Sequence, residues 1–180
     1  IFGNAWHVVS VSIYGGTLVI LYTMSTLYHA ITHEKAKKVL RIIDHSSVYL
    51  LIAGTYTPYT LIVLREYSTS LGWTMFGIIW GLAILGIVFS AFFTGKHKIL
   101  STVLYVMMGW FVIFVMPSLI NVMQTKNAMM GIYLLLAGGI SYTIGVIFYI
   151  LKKRYFHSIW HVFVLVGSIF HFFSVFLYVI

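Results

Sequence analysis

The stretch HSIWHVFVLVGSIFHFFSVFLYV, residues 157–179, decides the class of fold to which this chain belongs. It contains no Asp, Glu, Lys or Arg, and a helix of about 20 apolar residues is long enough to cross the hydrocarbon core of a bilayer. The stretch therefore predicts a membrane-spanning helix. This helix begins with two histidines, His157 and His161.

Apolar segments of the same kind recur along the whole chain. Six stretches qualify as spans: 8–30, 44–64, 72–93, 99–120, 128–151 and 157–179. The 180 residues are 61% hydrophobic and 8% charged, and a water-soluble domain could not bury that much apolar surface. Because the connections are short, we expect sequential helices to run antiparallel in one transmembrane helical domain over residues 1–180. The sequence thus predicts an all-α integral membrane protein.

The charged residues predict how the helices are oriented. The chain has eleven Lys and Arg against three acidic residues, for a net charge of +8. Nine cations lie in alternate connections: Lys35, Lys37, Lys38, Arg41, Lys96, Lys98, Lys152, Lys153 and Arg154. The other connections contain only Arg65 and Lys126. The positive-inside rule then places the rich connections in the cytoplasm and both chain ends near the outer face. Since the cations form short clusters and no stripe along a helix, we expect no nucleic-acid partner.

Potential metal ligands gather at the predicted cytoplasmic ends of the helices. The chain has no cysteine, so a metal would need His, Asp or Glu. His29 closes the first span, Asp44 opens the second, and His157 and His161 open the last. At about 100° per residue, the last two lie about 40° apart on one helix face and can offer two imidazoles to a single ion. Ionisable groups at membrane depth are costly, so their coincidence favours a metal site.

A zinc site can be built from these residues if the first and last helices meet. Three neutral imidazoles could bind zinc and leave a fourth coordination position for water or substrate, and a set without thiolate suits zinc best. Asp44 could bind the metal, orient its water or act as a base, and Ser25 lies one turn from His29. Roles without a metal also stay open for these residues. Helix-end histidines cap carbonyls, Asp44 suits a helix N-terminus or a pair with Arg41, and Ser25 could bond to the carbonyl of Leu21.

Two other histidines have simpler interpretations. His33 follows His29 by four residues but lies beside Lys35 in a basic connection, which indicates a solvated side chain. His171 shares the helix face of His157 but lies about 21 Å deeper along the helix, so we expect it to have a buried hydrogen-bonding role.

Small residues within the spans indicate close packing between helices. They include Gly77 and Gly81 in the segment GIIWG and the pair Gly138 and Gly139.

Three segments resemble the signature blocks of the hemolysin III family, the bacterial branch of the progestin and adiponectin receptor superfamily. They are STLYHA (25–30), RIIDHSSVYLLIAGTYTPY (41–59) and HSIWHVFVLVGSIFHFF (157–173). The resemblance covers essentially the whole chain. It implies a seven-helix bundle of the adiponectin-receptor type in the bacterial plasma membrane, with the N-terminus in the cytoplasm. Because six spans are present and the chain starts at Ile1, we expect the family's first helix to be missing.

The resemblance also implies roles for the polar residues. It makes His29, His157 and His161 zinc ligands and places Asp44 and Ser25 around the metal. Relatives in the superfamily include ceramide-cleaving enzymes with the same Ser, His, Asp and HxxxH pattern, so a zinc-dependent hydrolase of lipid amide or ester bonds is the expected chemistry.

In such a hydrolase Asp44 would move the proton of the attacking water, Ser25 would hydrogen-bond the oxyanion or a metal ligand, and the helices would accept acyl chains from the bilayer. Two alternatives stay open. One is a metal-stabilised receptor or membrane-homeostasis protein. The other is the pore-forming cytolysin that the family name implies, although helices without a polar stripe argue against a water-filled pore.

Overall fold

The computed structural model describes residues 5–94, 98–151 and 153–180. The regular structure in these ranges is entirely helical. Ile1, Lys96 and Lys152, which enter the predictions on the chain start and on topology, lie outside the described residues.

Six helices in the described ranges are long and apolar enough to cross a membrane. We number them α1 to α6: Ala5–Ala30, Glu34–Tyr67, Thr69–Phe93, Ile99–Thr125, Met129–Ile150 and Phe156–Tyr178. The prediction of an all-helical membrane protein with six spans is confirmed.

Helix α2 begins well before the apolar segment that predicted it, at Glu34 rather than at residue 44. Its first turns are basic and exposed, so hydropathy detected only the part that suits a bilayer. The helix is capped by His33, whose Nδ1 accepts a hydrogen bond from the backbone N–H of Ala36 at 3.4 Å. His33 is exposed, which confirms its interpretation as a solvated residue.

The same helix changes its hydrogen-bonding pattern after Pro58. Residues Tyr59–Leu64 form a π-helix, and all six are buried. Proline has no backbone N–H and interrupts the α-helical ladder, and hydroxyl groups beside it supply local bonds. Thr57 Oγ1 donates to the carbonyl of Ala53 at 2.9 Å, and Thr60 Oγ1 donates to that of Thr57 at 3.0 Å. Helix α4 changes similarly, since Phe111–Val115 form a 3₁₀-helix within it.

The chain divides into two compact units, Ile1–Met108 and Gly109–Ile180. The organisation as a single domain stays a prediction. In the first unit α2 packs against α1 and α3. Helix α1 approaches α2 closely at Gly54, where a Cβ atom would collide with the side chain of Thr17. Thr17 is itself fixed, because its Oγ1 donates to the carbonyl of Tyr14 at 2.8 Å.

In the second unit α5 and α6 pack against each other. Hydrogen bonds from α6 to α5 backbone hold this contact. Ser174 Oγ donates to the carbonyl of Gly131 at 2.6 Å, and His171 Nε2 donates to that of Leu135 at 3.0 Å. His171 is buried, so its predicted hydrogen-bonding role is confirmed. Gly138 provides the space for its ring.

The interpretation of Gly77 and Gly81 as packing residues is wrong for the described part of the chain. No described atom comes within 4 Å of a Cβ built at either position. Their spacing resembles a packing motif, but the face on which they lie has no close neighbour there.

These glycines provide a matched test of the α1–α2 contact. We expect Gly54→Ala to lower the free energy of unfolding by about 1–3 kcal/mol, because the added methyl group overpacks a fixed threonine. Gly77→Ala should be neutral or slightly stabilising, since its methyl group has space and alanine is the better helix former. Thermal unfolding of both variants in the same detergent measures the difference. Equal stability of the two variants would show that Gly54 is not a close contact.

Candidate metal centre

The start of α6 is set by a left-handed residue in the connection from α5. Tyr155 has φ of 68°, and its carbonyl accepts the N–H of Ile159 at 3.0 Å. Helix α6 therefore begins immediately afterwards, at Phe156. His157 and His161 fall in its first two turns.

The two histidines of α6 face each other. Their Nε2 atoms lie 3.1 Å apart, and their rings are nearly perpendicular, with centroids 4.7 Å apart. Two imidazole nitrogens that bind one tetrahedral zinc at about 2.0–2.1 Å are themselves about 3.3 Å apart. The pair is thus spaced nearly as one shared metal ion requires. Without an ion, one nitrogen must donate a hydrogen to the other.

Aromatic rings of α5 and α6 surround this pair. The ring of Tyr149 on α5 lies 6.3 Å from that of His157 and 5.2 Å from that of Trp160. Tyr149 has no signal in the sequence, because a contact between rings on two helices leaves no local spacing pattern.

The third predicted ligand lies in the last turn of α1. His29 is exposed, and its ring lies 4.8 Å from that of Tyr28. The Lys37 ammonium lies 5.8 Å from the Tyr28 ring centre. The histidine therefore has Tyr28 as an aromatic neighbour.

Among the described residues, His29, His157 and His161 are the candidate metal ligands, and each offers one imidazole nitrogen. His29 belongs to the first compact unit, and His157 and His161 belong to the second. The donor set contains imidazole alone, which suits zinc and other borderline divalent metals.

Asp44 is not part of this ligand group, as far as the described residues show. Its side chain is only 16% exposed, and its Oδ2 lies 3.7 Å from Nδ1 of His45. That nitrogen also lies 2.9 Å from the carbonyl oxygen of Arg41, so it carries the hydrogen and donates it. Of the roles predicted for Asp44, direct metal binding finds no support in this group, whereas the roles of base or water-orienting residue are open to it.

The backbone around Asp44 carries additional hydrogen bonds. Ser47 Oγ donates to the carbonyl of Asp44 at 2.6 Å, and the Tyr105 hydroxyl donates to the carbonyl of His45 at 2.9 Å. These bonds hold the backbone of this part of α2 in place. Tyr105 was another residue without a sequence signal.

Ser25 lies one turn before His29 on the same face of α1. It is partly buried, while His29 at the helix end is exposed. The structure thus places the hydroxyl deeper along the helix than the imidazole, as the helical period predicts.

Comparison with known proteins gives a consistent result. The sequence model of the family described as "Haemolysin-III related" matches residues 1–172. "Hemolysin-3 homolog" of Bacillus subtilis is 48% identical over 98% of this chain and 80% of its own length. "Hemolysin-3" of Bacillus cereus is 48% identical over 99% of this chain and 78% of its own. The human "Monocyte to macrophage differentiation factor" is 28% identical over 97% of this chain and 72% of its own. No solved structure matches.

The ligand group predicts that one divalent ion binds per chain. We expect His161→Ala to lower the zinc content of purified, zinc-supplied protein at least tenfold, because two imidazoles hold the ion far less tightly than three. His33→Ala is the matched control, since this exposed histidine lies outside the group. Elemental analysis measures both variants, and equal zinc content in the two would eliminate the site.

Proposed function

The chain belongs to the family of haemolysin-III related membrane proteins, and we propose that it is a zinc-dependent hydrolase that cleaves an amide or ester bond in a membrane lipid. The observation that carries this proposal is the facing pair of imidazoles on α6, whose Nε2 atoms lie 3.1 Å apart, and His29 is the proposed third ligand. Zinc held by three imidazoles typically keeps one coordination position open, as catalytic zinc sites do.

The donor set and the spacing of the α6 pair fit zinc. His29, His157 and His161 would hold the ion. When bound, zinc would supply Lewis acidity, which polarises a carbonyl group and activates water at neutral pH. The three imidazoles must be unprotonated to act as ligands.

Asp44 is proposed as the residue that moves the proton. A general base accepts a proton from water and returns it to the leaving amine or alcohol. The carboxylate is mostly buried, and its helix is held by the Ser47 and Tyr105 hydrogen bonds. His45 Nδ1 at 3.7 Å from Oδ2 helps to orient it. A mostly buried carboxylate outside the ligand group suits a base better than a metal ligand.

Ser25 is proposed to hydrogen-bond the developing oxyanion of the substrate or a metal-ligating imidazole. A hydroxyl one turn from His29 can donate to an oxygen that gains charge in the transition state, and such donors stabilise it strongly.

The lipid substrate is proposed from the surroundings of the ligands. Next to His161 on α6, Val162 and Leu165 are exposed apolar residues, as is Leu27 on α1. Side chains of this kind contact hydrocarbon in a membrane protein, so acyl chains can reach the ligand residues from within the bilayer. By the predicted topology this end of the helices faces the cytoplasm and the C-terminus lies outside.

A single substitution separates catalysis from metal binding. We expect Asp44→Asn to retain zinc but to lower the turnover of a fluorescent ceramide by about 10²-fold or more, because it removes the proton acceptor. Glu34→Gln is the matched control, since Glu34 is an exposed carboxylate in the first turn of the same helix. Unchanged turnover in Asp44→Asn would exclude it as the base. Absence of turnover in the zinc-loaded wild type over a panel of lipid amides and esters would exclude the hydrolase.

The names of the Bacillus relatives point to cytolysis as a second candidate, and a leakage assay tests it. Because the six helices are apolar and lack a stripe able to line a water channel, we expect liposomes that contain the purified protein to retain a trapped dye. Liposomes with a known pore-forming peptide are the positive control. Dye release that requires the protein and survives zinc removal would favour a pore over the hydrolase.

A further inference from the structure

Arg65 lies on the side of the membrane where the positive-inside rule predicts few basic residues. By the predicted topology, the connections on that side contain only Arg65 and Lys126 among the eleven basic residues. Asp44 and Arg65 lie on one helix, and 21 residues of helix span about 30 Å, which is the thickness of the hydrocarbon core. Arg65 therefore lies at the membrane surface opposite to that of Asp44.

The π-helical segment determines where Arg65 points. A π turn accommodates an extra residue, which rotates the residues after it by about 100° relative to a continuous α-helix. Arg65 directly follows this segment. Its backbone lies against the start of α3, where a Cβ at Gly72 would collide with it.

The guanidinium group is held on two sides. Nε donates to the carbonyl of Leu61 at 2.8 Å, and the guanidinium carbon lies 4.2 Å from the centre of the Trp6 ring. Trp6 is in turn fixed by an edge contact with Trp73, with ring centroids 5.6 Å apart. Arginine thus has little freedom left to lose when it binds a ligand.

The two Nη atoms of the Arg65 guanidinium have no partner among the described residues. Arg65 forms no ion pair with a carboxylate there, and its Nη atoms make no hydrogen bond to the described residues. An arginine has five N–H donors, and one is used by Leu61. The remaining edge is the planar fork that binds phosphate oxygens in pairs.

The surroundings of Arg65 are those of a lipid headgroup region. Trp73 and Tyr67 are exposed beside it, and Val8 and Val9 on α1 are exposed apolar residues. Trp and Tyr are enriched where a membrane protein meets the headgroups, and apolar side chains next to them contact acyl chains.

We propose that Arg65, stacked on Trp6, binds the phosphate of one phospholipid in the leaflet opposite the histidine ligands. The ligand class is a phosphate-bearing lipid, and its acyl chains would lie along the apolar face next to Trp73. This site is independent of the proposed hydrolase.

Native mass spectrometry of the delipidated protein tests the site. The probes are phosphatidylglycerol and a diacylglycerol with the same acyl chains, at equal concentration. We expect the wild type to retain phosphatidylglycerol preferentially and Arg65→Gln to lower this retention about tenfold, as the loss of one charge-assisted pair of hydrogen bonds predicts. Lys126→Gln removes the other cation of the same predicted side and should retain the lipid like the wild type.

Each contrary result overturns the proposal. Equal retention in Arg65→Gln and the wild type would show that Arg65 does not bind the lipid, and equal loss in Lys126→Gln would show a general effect of charge. If Arg65→Gln does not fold, Arg65→Lys decides, because lysine keeps the charge without the fork, so wild-type retention in that variant would contradict the site. Displacement of the lipid by excess inorganic phosphate would exclude the lipid as the occupant.

Discussion

The structure depends on one constraint: inside a bilayer, polar groups must find hydrogen-bond partners within the protein. Hydroxyl groups in the spans mostly donate to carbonyls of the preceding turn in their own helix, as do Thr17, Thr26, Ser47, Thr55, Thr57, Thr60 and Thr143. Others donate to a carbonyl on a neighbouring helix, as Ser141 and Ser174 do. The facing imidazoles of His157 and His161 differ from these hydroxyl groups, because their Nε2 atoms lie 3.1 Å from each other.

The same constraint connects the packing of α6 to the geometry of its histidines. A side chain can reach a carbonyl on another helix only where the two backbones approach closely, which explains the glycine beside the His171 ring. The bonds from Ser174 and His171 to α5 hold the second half of α6, and the bond from Ser141 on α5 to the carbonyl of Phe163 holds its first half. Its first turns consequently belong to a rigid element, and a ligand pair on a rigid element keeps its spacing better than one on a loop.

Hydropathy predicted the six spans because the bilayer selects apolar segments of fixed length, and the helical period predicted that the α6 histidines face each other. Features that depend on neighbouring helices left no such signal. The early start of α2, its π-helical segment, the 3₁₀ segment of α4 and the left-handed Tyr155 were not predicted. For Gly77 and Gly81 the sequence pattern predicted helix packing that the described residues do not show. Such a pattern produces a contact only where another helix faces it. Tyr105, which bonds the backbone beside Asp44, and Tyr149, which lies beside His157, were missed for the same reason.

The ligand group combines local and distant residues, and this affects how its role can be established. The spacing of His157 and His161 follows from one helix turn, whereas His29 lies 128 positions before His157 (157 − 29 = 128). An ion bound to all three would connect α1 to α6 through metal–nitrogen bonds, so it would stabilise the fold whether or not it takes part in catalysis. Loss of stability on metal removal is therefore expected of a hydrolase and of a metal-stabilised receptor alike. A residue outside the ligand group that acts only on the reacting water distinguishes them, and Asp44 is the residue proposed for that role.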